Sequence, residues 1–157
     1  MTCWLAVTLL LVVLLQGIAS TYVSAAVPGF TSKASHVVWG FLATIVVLFA
    51  HTITMFYFIG TGVAVKDEAK KNASLVPLYE RTRKFKARTS RDLTFAPLLL
   101  MAASIVGAGT AGGSIAPSVH LWLELAAVAY NVWTLARVTG VIAENMVLME
   151  EANRLAT

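Results

Sequence analysis

Charge is almost absent from four long stretches of this chain, and that absence limits its fold more than any motif does. Residues 4–27, 37–65, 93–111 and 118–137 carry a single acid, Glu124, and a single base, Arg137. Each stretch is near the ~20 apolar residues that cross a ~30 Å hydrocarbon layer. In lipid every backbone polar group must be bonded internally, so runs of this kind cross as helices. The expected fold is all-α: an integral-membrane four-helix bundle, with one domain spanning 1–157. The hydrophobic share of 58% exceeds that of ordinary soluble domains and agrees with lipid as the main solvent. The first stretch is read as a spanning helix rather than a secretory signal, because no positive segment precedes it. Ala25-Ala26 would be the small residues of a cleavage site.

Between the second and third stretches lies 66–92, which holds nine of the twelve Lys and Arg residues. The flanking connections are nearly uncharged, with Lys33 in one and none in the other. Basic loops stay on the cytoplasmic side. The expectation is therefore a basic cytoplasmic loop over 66–92, with both termini on the same side. Arg and Lys there would hold anionic lipid headgroups, at ~1 kcal/mol each. A short surface helix is expected around Leu78, Tyr79 and Arg81 to Arg88. Asn72-Ala-Ser74 matches a glycosylation sequon, and the cytoplasmic placement makes it a chance match. The net charge of +4 sets orientation and gives no nucleic-acid footprint.

Pro28-Gly29 and Gly112-Gly113 mark turns, and Pro97 is expected in the first turn of the third helix. Small residues at spacing four, Ala103/Gly107/Ala111 and Ser104/Ala108/Gly112, let two helices approach closely. The fourth helix is expected to leave the membrane at Arg137 and continue as an amphipathic tail over 138–157. There Ile142, Met146 and Met149 form an apolar stripe that is expected to lie against the basic loop or a partner protein. No internal repeat and no low-complexity tract is visible. The one cysteine, Cys3, excludes an intrachain disulfide.

Polar groups inside spans are costly and mark functional sites. The candidates are His36, His51, His120, Glu124 and Asn131. Counting ~1.5 Å per residue, His51 stands ~22 Å above Lys66 and His120 ~25 Å above Arg137. By that count His51 and His120 could sit at similar depth on different helices, where two imidazoles could hold a haem b iron or another tetrapyrrole, whereas the Pro117 flank places His120 near the outer interface, in a solvated or capping role. Glu124 follows His120 by four residues on the same face, placed to orient that imidazole, relay protons, form an ion pair at the outer interface or contact a partner subunit. His36 is expected at the outer interface. Asn131 and Tyr130 are expected to bond between helices.

No H-E-x-x-H, G-x-S-x-G, P-loop or cysteine pair occurs, so no autonomous catalytic signature is present. Three function classes remain. The first is an accessory subunit of a larger, bioenergetic or redox membrane complex, in a bacterial inner or organellar membrane. The second is a b-haem or quinone-site anchor using His51 and His120. The third is a small homo-oligomeric channel ringed by Glu124. In helix count and histidine content alone, the chain resembles the membrane anchors of succinate dehydrogenase and fumarate reductase. No ligand motif of theirs is matched.

Overall fold

The computed structural model describes residues 2–22 and 32–156. Among them the order is α1 (Thr2–Tyr22), α2 (Lys33–Ala69), a single 3-10 turn (Ala73–Leu75), α3 (Val76–Ala111) and α4 (Pro117–Ala156). No strand occurs among the described residues. The expected all-α bundle of four helices is what forms. α2, α3 with its preceding turn, and α4 are each long and apolar enough to cross a membrane. The apolar part of α1, Trp4–Ser20, is shorter, although all 21 residues of α1 rise about 31 Å, near one hydrocarbon thickness. Pro28-Gly29, Ala25-Ala26 and the Cys3 side chain lie outside the described residues.

The lengths are unequal, and this divides the molecule into two layers. α2, α3 and α4 run for 37, 36 and 40 residues, so each rises about 54 to 60 Å. α1 accompanies them for only part of that length. Where all four meet, the core is Ala6 and Leu10 of α1, Val47 and Ala50 of α2, Leu100 and Ala103 of α3, and Ala127, Val128 and Leu135 of α4. The second layer has three helices. Phe58 and Val65, Leu75, Leu78, Phe85 and Leu93, and Val138, Val141, Leu148 and Ala152 close it. Facing outward from the apolar layer are Trp4, Phe41, Phe49, Phe56, Ile105 and Trp122, each more than 60% exposed, the surface that acyl chains would cover.

The stretch 66–92 is not a loop. α2 continues through Ala69, only Lys70 to Asn72 turn, and α3 begins at Val76. The reason lies in period rather than charge. Leu78, Thr82, Phe85, Thr89 and Asp92 are buried at alternating spacings of four and three, the seam of packed helices. The basic residues occupy the other faces. Pro97 accordingly sits deep inside α3, and the proline at the start of that helix is Pro77.

Asn72 ties the turn together. Its Oδ1 accepts from the Ser74 amide at 3.0 Å, and its Nδ2 donates to the Leu155 carbonyl at 3.0 Å. Beside it, Lys70 at 2.7 Å holds the exposed Asp67 carboxyl below the usual carboxylate range. Gly113, at φ 77°, ends α3, with the Ser114 amide bonding back to Gly109.

The tail of α4 finds its cover within the chain. Ile142 and Met149 pack on the three-helix core, and Arg81–Glu151 and Arg88–Glu144 flank it. Met146 alone of the expected stripe faces outward. Between the layers, Asp92 is buried and accepts from Arg137 at 2.6 Å, Tyr130 at 3.0 Å and Arg91 at 3.2 Å. Arg137 also lies 5.3 Å from the Trp133 ring, which stacks on Tyr130. Arg137 thus marks the layer boundary, as its position in the sequence suggests.

Candidate functional site

The described histidines separate into two places, and the pairing differs from the one expected. His120 faces His36, with ring centroids 6.2 Å apart and planes tilted by 57°. His51 instead bonds Asn131, Nε2 to Oδ1 at 3.0 Å. The count from Lys66 places His51 too far from the layer boundary, because Lys66 does not mark it: His51 is level with Asn131, about 9 Å along α4 from Arg137, whereas His120 is about 25 Å from Arg137. Along α2, His36 and His51 are fifteen residues apart, a rise of about 22 Å, and His120 belongs with the former. No single iron could bridge His51 and His120, because they line different cavities.

Helix contacts hold the outer pair. His36 reaches across to α1, where its ring lies on Gly17 and bonds the backbone of Val13 one turn earlier. His120 reaches across to α3, where its ring lies on Gly107 and bonds the backbone of Ala103 one turn earlier. A Cβ on either glycine would stand 2.8 Å from the ring Cε1. Glycine is therefore required at both places for the ring to seat.

These matching contacts reveal a repeat in packing. Ala6, Leu10 and Val13 are buried ahead of Gly17, and Ala96, Leu100 and Ala103 are buried at the same spacings ahead of Gly107. Counted from His36, the buried positions Ala43, Val47, Ala50, His51 and Thr54 fall where Ala127, Asn131, Thr134, Leu135 and Val138 fall from His120. The α1–α2 hairpin and the α3–α4 hairpin are thus two versions of one unit. Residue identity hides this, because apolar residues replace one another freely at the shared positions.

The units differ where it matters. Glu124 stands at the place that Gly40 holds in the other unit. The missing side chain at Gly40 and the carboxyl at Glu124 help shape a cavity of about 260 Å³ at the end of the bundle away from the three-helix layer, termed the outer cavity. Leu10, Val13, Val37, Phe41, Leu100 and Leu121 supply its apolar wall. The polar lining includes His36, His120, Glu124, Thr44 and Ser104, together with Lys33 and the hydroxyls of Ser20 and Thr110, which donate to their own helices. Thr44 and Ser104 bond each other at 2.9 Å across α2 and α3, and Gln16 donates to Ser35 at 3.0 Å across α1 and α2.

The hydrogen bonds define what the cavity offers a ligand. A ring nitrogen that bonds a backbone carbonyl is the donor, which leaves the other nitrogen as a bare lone pair. In both His36 and His120, Nδ1 is buried without a partner. Two acceptors therefore stand in one apolar cavity beside Glu124, a carboxyl able to donate or accept. Among the described residues, no group of three His, Cys, Asp or Glu side chains is placed to hold a metal ion.

Sequence reading found all three histidines, Glu124 and Asn131. It missed Gly17, Gly40 and Gln16, whose roles depend on what faces them from another helix. Searches against family models, curated proteins and solved structures found no match to this chain.

Proposed function

We propose that this chain is a small, non-catalytic membrane subunit that holds a ring compound of the quinone class in the cavity at the outer end of its bundle, as part of a larger redox assembly. One observation carries the reading. His36 and His120, fixed by Gly17 and Gly107, leave two unpartnered Nδ1 acceptors beside Glu124 in an apolar cavity of about 260 Å³. Buried polar groups without partners are costly, and a ligand that donates hydrogen bonds removes that cost. A quinol does so with its hydroxyls, while Glu124 can also serve a quinone carbonyl. The apolar lining suits the ring and its substituents.

Absence of a nucleophile with its base among the candidate groups favours a binding subunit over an enzyme. The exposed basic face of α3, including Lys84 and Lys86, is suited to anionic headgroups. Glu124 lines a cavity within one chain, so it is not available as a pore ring between copies.

The test is titration of the detergent-purified or nanodisc-held protein with a short-chain benzoquinone and its quinol. One bound ring per chain is expected in this cavity, counted as the stoichiometry that Gly40→Leu removes. Binding there should be lost in Gly40→Leu, which fills the cavity, and weakened about tenfold or more, the worth of one good hydrogen bond, in His120→Phe. Failure of both redox forms to bind, or binding unchanged in Gly40→Leu, would overturn the proposal.

A further inference from the structure

We infer that the lateral groove between α2 and α3 is a second ligand site, built for a hydroxyl-donating aromatic ring that arrives from the bilayer, and selective for a quinol over its quinone. The groove has a volume of about 260 Å³ and is lined by His51, Thr52, Met55, Phe56 and Thr94, with Leu93, Pro97, Leu98 and Met101 from α3. It shares no residue with the outer cavity, so it stands or falls apart from the function proposed there.

The argument begins at Asn131. Its Nδ2 donates to the carbonyls of Ala96 at 2.9 Å and Ala127 at 2.8 Å. That fixes the amide, so Oδ1 is the atom turned to His51 and can only accept. His51 must then carry its proton on Nε2, and its Nδ1 is a bare lone pair. Nδ1 is buried without a partner, and the whole residue is only 1% exposed. An imidazole oriented by a bond from its other nitrogen is the arrangement by which proteins present a ring nitrogen to a ligand.

A second acceptor comes from the backbone. Pro97 has no N–H, so the carbonyl of Leu93 lacks its helical donor. Leu93 lines the same groove. The Thr94 hydroxyl already donates to Ser90 at 2.9 Å, so toward the groove it too can accept. The groove therefore presents more acceptors than donors on an apolar wall, Thr52 being the one lining side chain whose hydroxyl proton is not already committed. The occupant that answers this pattern brings its own O–H groups.

The walls narrow the class further. Met55, Met101 and Phe56 flank the slot, and thioether sulfur packs favourably against aromatic rings. The outer rim is open: Phe56 is 67% exposed, Leu98 52% and Met101 40%. In a membrane that rim faces acyl chains, so the ligand reaches the groove through lipid. A quinol matches the acceptors with its hydroxyls. The oxidised quinone offers carbonyls, which would set lone pair against lone pair.

The experiment uses the full chain in nanodiscs, with Gly40→Leu to fill the outer cavity. A short-chain benzoquinol, kept reduced under anaerobic conditions, and the matching benzoquinone are titrated in parallel. The quinol should bind at one per chain, with the quinone at least about tenfold weaker. Leu98→Trp, which fills the rim without touching His51 or Asn131, should weaken quinol binding about tenfold or more. If Gly40→Leu does not fold, the His51 Nδ1 signal in nitrogen NMR of the unmodified chain replaces it. That signal should move on adding quinol, stay in place with quinone, and stay in place in Leu98→Trp. Equal binding of the two redox forms, or quinol binding indifferent to Leu98→Trp, would overturn the inference.

Discussion

Asn131 holds three helices with one amide: it accepts from His51 on α2 and donates to Ala96 on α3 and to Ala127 in its own helix. Interhelical hydrogen bonds in membranes average ~0.6 kcal/mol, so Asn131→Val should lower stability by about 1 kcal/mol. His51→Val should cost a similar amount. The double variant should cost less than the two single costs added, because each single change strands a buried partner and the pair does not. Thermal unfolding in one detergent measures this cycle, and simple additivity would show that the two residues are not partners.

The glycines make a second test at the same scale. Gly107→Ala places a Cβ 2.8 Å from the His120 ring and should cost about 1–3 kcal/mol. Gly40→Ala meets nothing nearer than 3.7 Å and should be neutral or stabilising by up to ~1 kcal/mol. The histidines were legible in the sequence because an imidazole in an apolar run is conspicuous. Their pairing was not, because depth counted from the flanking charges assumed that those charges sit at the membrane surface. Lys66 instead lies within a helix that continues through Ala69.

At the scale of elements, α3 shows why charge and period must be read together. Nine basic residues over 66–92 suggested a loop, yet Leu78, Phe85 and Leu93 carry a helix straight through them. The tail of α4 follows the same logic: Val138, Val141, Leu148 and Ala152 pack on that helix. Its continuation past Arg137 and its packing against 66–92 were legible from periodicity, whereas the helical form of that cover was not, since those residues had been assigned to a loop.

Asp92 joins α3 to α4 where the layers meet. Its two arginines are unequal: Arg137, 36% exposed, bonds it at 2.6 Å, and Arg91, 74% exposed, at 3.2 Å. Removing a partner from a buried charge costs ~3–5 kcal/mol, whereas exposed pairs contribute ~0–1 kcal/mol. With Arg91 and Tyr130 still bonded, Arg137→Gln should cost about 3 kcal/mol and Arg91→Gln under about 1 kcal/mol. Chemical or thermal unfolding decides it, and equal costs would show that the Asp92 contact with Arg137 is solvated.

Taken whole, the molecule is two related hairpins in an apolar layer, continued by three helices beyond it. The class was legible because four uncharged stretches leave few alternatives to a helical bundle in lipid. The doubling was not, because packing recurs where residue identity does not. The distribution of Lys and Arg predicts that the three-helix layer lies in the cytoplasm. With Cys3 changed to serine, an impermeant maleimide applied to intact cells should label a cysteine at Ser114 and spare one at Lys84. The opposite pattern would invert the topology.

The account turns on which imidazoles face each other. The chain has three histidines, so ring-to-ring correlation by solid-state NMR in bilayers tests this directly, with single histidine variants giving the assignments. A cross-peak between His36 and His120 is predicted, and none from His51 to either. A His51–His120 cross-peak, or no His36–His120 proximity at all, would contradict the packing from which the site is built.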